Sequence, residues 1–548
     1  MNKLCFSFLT LLFLFFSNYS FSQEVKKGSW ESNKVKITGG TIQGFFDKST
    51  GVRCFWGVPY AQPPIGDLRW RAPQSLKSWK GIRKADEFGP RAMQGSIFGD
   101  MRFRSDSVSE DCLYLNVWTS ADSSNANLPV LVYFYGGGFI AGDGSEWRYD
   151  GSSIAQKGIV VVTVNYRLGI FGFFAYPELT KESSHHASGN YGLLDQHAAL
   201  EWVHKNIAAF GGDPDHITIG GESAGSISVF AQMASPLSKD LIVGAIGESG
   251  AMIKPTLPPI SLSEAEKRGV DFAKSIGASS LKDLRAIPAK KLLQEASKKG
   301  ISHFSTTIDG YFLPKSPEQI FEEGKQAQIP LLVGWNSTEM PYIAFMQGKF
   351  PSPESFKKRV ESLYKENAAK ILKLYPGKTV NEVITSATHL ASDRFIVYST
   401  WKWAELQRNT GRRPVFRYLF RQPRPVQNTS FDASFLLPED SGKLMPPPIN
   451  GAVHSGEIEY ALGNLSTNSV YSWSPDDYRV SVTMENYFAN FIKSGNPNGE
   501  GLPLWTGNTK DQPVRVMNIG VKSRLKVEDS QRRKQHEFLD HLFKLNKQ

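Results

Sequence analysis

The chain carries the pentapeptide Gly221-Glu222-Ser223-Ala224-Gly225, which has the pattern G-x-S-x-G. Residues 216–219 before it form a short β-rich run, and residues 226–231 after it are able to begin a helix. A serine on a tight turn between strand and helix is held clear of both elements, so its hydroxyl faces a substrate. Flanking glycines fit because backbone approaches backbone closely there. The pentapeptide alone also occurs in ordinary glycine-rich loops, so the strand and the helix around it carry the prediction that Ser223 is a nucleophile.

The N-terminus differs in character from the rest of the chain. The 548 residues are 40% hydrophobic and 21% charged, which is a globular composition, and no repeat or linker divides them. Lys3, however, precedes a nearly continuous apolar run over residues 4–16, and small serines follow where a signal peptidase reads. We expect residues 1–22 to be a signal peptide and residues 23–548 to form one domain, exported to the periplasm or the extracellular space. The run is shorter than the roughly 20 residues that a membrane-spanning helix needs, so stable membrane insertion is not expected.

The charge of the chain is basic, with a formal net charge of +10. Nucleic-acid binding would require a recognisable module with interleaved aromatic residues, and the sequence contains none, so it is not expected. A locally basic stretch is predicted to form a solvated surface. Its arginines are Arg412, Arg413, Arg417, Arg421 and Arg424.

Cysteine and histidine patterns give no sign of a metal site. Removal of residues 1–22 leaves Cys54 and Cys112, which allow one disulfide in an oxidising compartment, and the sequence leaves open whether it forms. No CxxC pair or His/Cys cluster has zinc-ligand spacing. The adjacent His185 and His186 are expected to be solvated loop residues. We therefore predict neither a metal nor an organic cofactor.

Apolar runs along the chain predict an α/β fold with a mostly parallel sheet. Residues 130–134 and 159–164 read as buried parallel strands, and 331–333 and 415–420 as later ones. Apolar residues recur at helical spacing over 196–210, between the second strand and the pentapeptide, as in a right-handed crossover. We further predict helical insertions that roof a site at 261–299 and 353–408, and a long proline-rich loop at 421–448.

A serine nucleophile needs a base and a carboxylate that orients the base. Among ten histidines, His454 stands apart because small residues flank it just after the proline-rich loop. In G-x-S-x-G hydrolases the chain order is serine, acid, histidine, which places the acid between 223 and 454. Glu339 follows the strand at 331–333, and catalytic groups gather at the carboxyl ends of strands. His454 is thus a candidate base and Glu339 a candidate acid. Other carboxylates between 223 and 454 also qualify, and local sequence alone does not separate His454 from a structural histidine or Glu339 from a surface residue.

Three consecutive glycines follow the strand at 130–134. Backbone N–H groups in such a loop can hold the oxyanion of a tetrahedral intermediate, together with the N–H after the nucleophile. The candidate donors are the glycines at 136–138 and Ala224.

Several motifs resemble those of the type-B carboxylesterases, the group that includes the cholinesterases, from about Thr38 to Trp505. The motifs are Gly57-Val58-Pro59-Tyr60-Ala61-Gln62-Pro63-Pro64, Glu110-Asp111-Cys112-Leu113-Tyr114-Leu115-Asn116, Asn165-Tyr166-Arg167-Leu168-Gly169, Gly189-Asn190-Tyr191-Gly192-Leu193-Leu194-Asp195-Gln196 and Gly495-Asn496-Pro497-Asn498. The resemblance implies an α/β-hydrolase fold. It also implies that Ser223 is the nucleophile, Glu339 the acid, His454 the base, and Gly137, Gly138 and Ala224 the oxyanion donors.

Two departures from the family pattern matter. The family pairs the cysteine that matches Cys112 with one near the Phe-Gly-Pro stretch, where this chain has Ala92. Cholinesterases carry a tryptophan eight residues before Glu-Asp-Cys, where it faces the choline cation, and this chain has Arg102 there. The resemblance therefore does not extend to choline esters.

The sequence thus predicts an exported serine carboxylesterase that acts on small-molecule esters, as a monomer or a small homo-oligomer. A lipase, amidase or thioesterase on the same scaffold is an alternative, because the pockets are built by loops. A non-catalytic interaction protein of cholinesterase-like fold is a further alternative, although the intact Ser223, Glu339 and His454 disfavour it.

Overall fold

The computed structural model describes residues 33–301, 304–426 and 450–545 of the 548. The expected signal peptide and most of the predicted proline-rich loop lie outside these residues. Within the described ranges, no helix combines the length and the apolar character that crossing a membrane requires.

Strands and helices alternate along most of the chain. The strands are β1 (Lys34–Ile37), β2 (Gly40–Gln43), β3 (Phe45–Asp47), β4 (Val52–Pro59), β5 (Ile82–Lys84), β6 (Arg91–Ala92), β7 (Val108–Ser109), β8 (Tyr114–Thr119), β9 (Leu128–Phe134), β10 (Val160–Val164), β11 (Gly212–Glu222), β12 (Gly244–Glu248), β13 (Ile260–Ser261), β14 (Thr307–Ile308), β15 (Leu331–Asn336), β16 (Val415–Phe420), β17 (Arg515–Ile519) and β18 (Arg524–Val527). The helices are α1 (Ser152–Gln156), α2 (Gly169–Phe173), α3 (Pro177–Glu182), α4 (Tyr191–Asn206), α5 (Ala224–Ala234), α6 (Leu262–Ser275), α7 (Leu281–Ala286), α8 (Ala289–Ala296), α9 (Pro317–Glu322), α10 (Tyr342–Met346), α11 (Pro353–Tyr364), α12 (Ala368–Leu374), α13 (Val380–Ser392), α14 (Tyr398–Thr410), α15 (Ile458–Ala461), α16 (Pro475–Ser494) and α17 (Ser530–Leu545).

The central sheet contains eleven strands within the described residues, in the order β3-β4-β8-β10-β9-β11-β12-β15-β16-β17-β18. The seven strands from β10 to β17 run parallel, and the strands at both edges are antiparallel. Every residue of β10 and β15 is buried, as expected for parallel strands covered on both faces. The neighbours β9, β11, β12 and β15 thus bring four loops to one edge of the sheet.

The predicted helical regions are present with shifted ends. The helix expected over 196–210 begins earlier as α4, and a 3₁₀ turn over Ile207–Phe210 replaces its last turn. Gly211 then ends the turn with a φ of 82°. The region at 261–299 divides into α6, α7 and α8. The region at 353–408 is α11 to α14, with a π-helical turn over Asp393–Val397.

The expectation of a solvated basic surface is wrong for two of the five arginines. Arg417 lies in β16, which is covered on both faces, so its guanidinium is fully buried and pairs with Glu405 and Glu528 at 3.1 and 2.9 Å. The side chain of Arg424 is 9% exposed and pairs with Glu459 at 2.6 Å. The other three are exposed. Burial of a guanidinium requires such carboxylate partners.

The two cysteines of the described chain, Cys54 and Cys112, are buried free thiols. Burial raises the pKa of both thiols. The expectation for His185 and His186 is met, since both are exposed, although the ring of His185 stacks on Tyr311 with 3.7 Å between centroids.

Candidate active site

Ser223 lies at the junction of β11 and α5 with a φ of 55° and a ψ of −120°. A non-glycine residue adopts a positive φ only when its surroundings enforce it. A Cβ on Gly225 would lie 1.9 Å from the carbonyl oxygen of Phe134, and a Cβ on Gly221 would lie 2.6 Å from the same atom. Glycine at both positions is therefore what allows the end of β9 to press against the turn and hold Ser223 in place.

The structure brings the three candidate catalytic side chains into one hydrogen-bonded chain. Nε2 of His454 lies 3.0 Å from Oγ of Ser223, and Nδ1 of His454 lies 2.6 Å from Oε2 of Glu339. Glu339 is buried in the loop after β15, Ser223 is half-buried at the end of β11, and the His454 side chain is 22% exposed. The ring of Phe395 meets the imidazole edge to face at 4.9 Å. An imidazole held between a hydroxyl and a carboxylate is able to take a proton from the hydroxyl.

The Glu339 carboxylate is fixed by further hydrogen bonds. Its Oε1 accepts from the hydroxyl of Ser249 at 2.5 Å and from the backbone N–H of Asn336 at 2.6 Å. The loop of Glu339 is also joined to the loop of His454, because the N–H of Thr338 donates to the carbonyl of Ala452 at 2.8 Å. These bonds leave Oε2 free to face the imidazole.

Three more glutamates near the candidate catalytic residues are buried, namely Glu222, Glu248 and Glu457, and the charges of Glu222 and Glu457 act on the imidazole. Oε1 of Glu222 lies 3.3 Å from Nε2 of His454 and accepts from the hydroxyl of Ser455 at 2.8 Å. Glu457 accepts from Asn336 and lies 3.3 Å from the Ser249 hydroxyl.

Burial and the carboxylates shift the pKa values of this cluster. Burial raises the pKa of Glu222 and Glu457, and it raises that of Glu248 to about 8. Burial alone would lower the pKa of His454, but Glu222, Glu339 and Glu457 outweigh it and raise that pKa to about 9. The cluster therefore favours the imidazolium.

The glycine loop runs beside the nucleophile. A Cβ on Gly136 would lie 3.1 Å from the Cβ of Ser223. Gly137 and Gly138 have φ values of 109° and 64°. Their N–H groups and that of Ala224, at the first position of α5, donate to no acceptor within the described part of the chain. Unpaired backbone donors beside a nucleophile can bind a developing oxyanion.

A cavity of about 510 Å³ opens onto Ser223 and His454. Most of its wall is apolar, and its lining includes the charged residues Asp100, Arg148, Glu222 and Arg394. Phe98 and Leu257 also line it and are 38% and 46% exposed, which places them at the opening. The cavity can hold an apolar organic group next to the serine hydroxyl.

The sequence argument missed the residues around the candidate triad. Glu222 stands in the pentapeptide itself, and Ser249 follows β12 as Ser223 follows β11, so position after a strand was an available signal. Glu457, three residues after His454, gave no such signal. Arg102, singled out at the position of the cholinesterase tryptophan, is not among the residues that line the cavity.

Comparison with known proteins agrees with this architecture. Residues 31–539 match the carboxylesterase family. The chain is 33% identical over 536 residues to the medium-chain fatty acyl-CoA hydrolase precursor of Anas platyrhynchos, covering 91% of each chain. It is 33% identical over 504 residues to the fumonisin B1 esterase of Sphingopyxis macrogoltabida, covering 87% of this chain and 85% of that one.

A solved structure of PNB esterase superposes with a TM-score of 0.76 at 31% identity, covering 92% of this chain and 99% of that one. The predicted α/β-hydrolase fold is thereby confirmed. With its family matched over nearly the whole length, the chain belongs to the carboxylesterase family and is a carboxylic ester hydrolase.

Proposed function

We propose that the protein is an exported serine carboxylesterase in which Ser223 attacks the carbonyl carbon of a small-molecule ester. The observation that carries this proposal is the chain of contacts from Ser223 through His454 to Glu339, with distances of 3.0 and 2.6 Å. Nε2 of His454 takes the hydroxyl proton as Ser223 attacks. Nδ1–H donates to Glu339, which orients the ring and stabilises the imidazolium.

The tetrahedral oxyanion binds to the N–H groups of Gly137, Gly138 and Ala224, which need no reorganisation because the backbone already fixes them. His454 then gives its proton to the leaving alcohol, and the acyl group stays on Ser223. A water molecule that loses a proton to His454 attacks the acyl-enzyme, and the acid leaves. The mechanism uses no metal and no cofactor.

We further propose that residues 1–22 direct export and that residues 23–548 act as one catalytic domain, as the sequence predicts. The names of the relatives do not point to one acyl group, because they refer to three different substrates: a fatty acyl-CoA, fumonisin B1 and a para-nitrobenzyl ester. The apolar wall of the cavity and its volume of about 510 Å³ favour short or medium apolar acyl groups.

Covalent labelling tests the nucleophile. A fluorophosphonate should form an adduct at Ser223 of the wild type, and Ser223→Ala should lose the adduct and about a million-fold in kcat while its thermal unfolding is unchanged. Ser124→Ala, at an exposed serine, is the matched control. Ester hydrolysis at a near-normal rate in Ser223→Ala would refute the proposal, and an unlabelled wild type would favour a non-catalytic interaction protein.

The acyl preference separates an esterase from a lipase. With p-nitrophenyl esters graded from acetate to palmitate, we expect the highest kcat/KM at short or medium acyl chains. A maximum at long, water-insoluble chains would assign the protein to the lipases instead.

A further inference from the structure

A second cleft, of about 770 Å³, lies apart from the catalytic cavity. Two short segments separate the two. Phe98, Asp100 and Met101 line the catalytic cavity, whereas Arg104 and Asp106 line the cleft. Residues 147–150 alternate in the same way, because residues 147 and 150 face the cleft and residues 148 and 149 face the cavity. The cleft therefore has its own walls and its own opening.

One wall of the cleft is a stack of flat groups. The rings of Trp56 and Phe88 stack at 4.2 Å with an angle of 15° between their planes. The guanidinium of Arg104 lies 4.5 Å from the ring centre of Phe88 and 4.6 Å from that of Trp147. Trp147 ends the stack and is 46% exposed. An exposed indole held by such a stack is a rigid platform for a further ring.

The cleft also contains hydrogen-bond donors that lack acceptors. The Arg104 side chain is 10% exposed and binds Asp150 at 2.6 Å and the carbonyl of Ser145 at 2.8 Å, but its Nη2 has no partner among the described residues. Nε1 of Trp56 likewise has none there. Both nitrogens are shielded from solvent, so this wall offers a ligand the exposed ring of Trp147 and not these donors.

Acceptors without donors line the same cleft. The carboxylates of Glu87 and Asp106 are exposed and make no hydrogen bond or ion pair within the described ranges. Asp47 and Asp86 add further negative charge. An anionic ligand would be repelled by these carboxylates. A ligand that donates hydrogen bonds and also has an apolar face would satisfy both the carboxylates and the exposed Trp147 ring.

We propose that this cleft binds a neutral saccharide, with one sugar ring stacked on Trp147 and its hydroxyl groups donating to the carboxylates of the walls. Hydroxyl groups both donate and accept, and the apolar face of a sugar ring matches an exposed indole. The site goes beyond ester hydrolysis and does not depend on Ser223.

Isothermal titration with cellohexaose, xylohexaose and maltohexaose tests the proposal on the full mature chain. At least one of these should bind the wild type and Ser223→Ala with equal Kd. Trp147→Ala and Asp106→Ala should each weaken that binding by about tenfold or more. Tyr478→Ala is the matched control, because Tyr478 is also 46% exposed and lies outside the cleft.

Circular dichroism and thermal unfolding verify that each variant is folded, and Asp106→Ala changes only an exposed side chain. Binding that is lost in the two cleft variants and kept in Tyr478→Ala supports the site. No binding of any hexasaccharide at 10 mM, or binding unchanged in Trp147→Ala, overturns it. Binding of spermidine alone also overturns it, in favour of a cation site. Loss of binding in Ser223→Ala would place the saccharide in the catalytic cavity.

Discussion

Oε1 of Glu222 lies 3.3 Å from Nε2 of His454, the same nitrogen that faces the Ser223 hydroxyl. A carboxylate at that position stabilises the imidazolium, and Glu222 is the largest of the charges that raise the pKa of His454 to about 9. The proposed base is active only when it is neutral. We therefore expect the residue next to the nucleophile, together with Glu339 and Glu457, to shift the pH range of the reaction upward.

We expect kcat/KM for p-nitrophenyl acetate to rise with pH along an acidic limb near pH 9. In Glu222→Gln the loss of negative charge lowers the pKa of His454, so the limb should move to lower pH. Glu500→Gln, at an exposed glutamate, should leave the profile in place. An unchanged limb in Glu222→Gln would show that Glu222 does not control the base.

The role of Glu339 predicts a graded loss of activity. Glu339→Gln cannot hold the required tautomer of His454 and should lower kcat by about ten-thousandfold, with the fold intact. Ser249→Ala removes one of the hydrogen bonds that Oε1 of Glu339 accepts and should cost about tenfold. Steady-state kinetics measure both. Equal losses in the two variants would contradict the idea that Ser249 acts only by positioning Glu339.

Two glycines with different surroundings test the close packing at the turn that carries Ser223. A Cβ on Gly225 meets the Phe134 carbonyl at 1.9 Å, so Gly225→Ala should cost more than about 4 kcal/mol and yield little soluble protein. Gly66 has a φ of 57° and no atom within 4 Å of the built Cβ, so Gly66→Ala should cost only about 1 kcal/mol. Soluble yield and thermal unfolding compare the two, and similar Tm values would count against the close contact.

A buried ionic cluster attaches α17 to the π-helical turn. Asp393 binds Arg532 through both oxygens, with Nη1 at 3.0 Å and Nη2 at 2.5 Å, and lies 3.1 Å from Nε2 of His536. Burial alone would raise the pKa of Asp393, but Arg532 and His536 hold it well below the usual 3.8. The stability that this carboxylate contributes is therefore present above pH 4 and is lost as the pH falls further.

Asp393→Asn should lower the free energy of unfolding by about 3 kcal/mol at pH 7, near the lower end for a broken buried pair because Arg532 is one-fifth exposed. Because the variant has no carboxylate at position 393 to protonate, its free energy of unfolding should fall less steeply below pH 4 than that of the wild type. Urea unfolding at pH 7, 4 and 3 measures both effects, with the exposed Asp122→Asn as control. A variant as stable as the wild type at pH 7 would refute this account.

Local sequence patterns predicted the elements that carry the candidate site. The run at 415–420 coincides with β16, and the run at 331–333 is the first half of β15, whose last residues carry the chain toward Glu339. Buried parallel strands are readable because their apolar residues are contiguous. The pentapeptide, the glycine loop and chain order gave candidates, and the resemblance to the type-B carboxylesterases assigned the roles of base and acid to His454 and Glu339.

Contacts between distant segments could not be predicted in this way. Arg417 was predicted to lie on a basic surface, because no local sequence pattern indicates that it pairs with Glu405 and Glu528. Glu457 reaches Asn336 from more than a hundred residues away. The saccharide cleft combines parts of the chain from 45 to 467. Such groupings depend on tertiary packing, which periodicity and spacing do not report.

The carbonyl oxygen of Phe134 lies against Gly221 and Gly225. Phe134 is also the last residue of β9, directly before the loop that contains Gly137 and Gly138. The nucleophile and the proposed oxyanion donors therefore share one support, the peptide at the end of β9. A displacement of this peptide would move the Ser223 hydroxyl and the N–H donors in the same direction. Their distance from each other would therefore change little when the sheet moves slightly. For the same reason, a change at this peptide would move Ser223 and the N–H donors of the glycine loop together. The side chains that line the cavity beyond the loop can vary without moving either, so they are where substrate specificity can change.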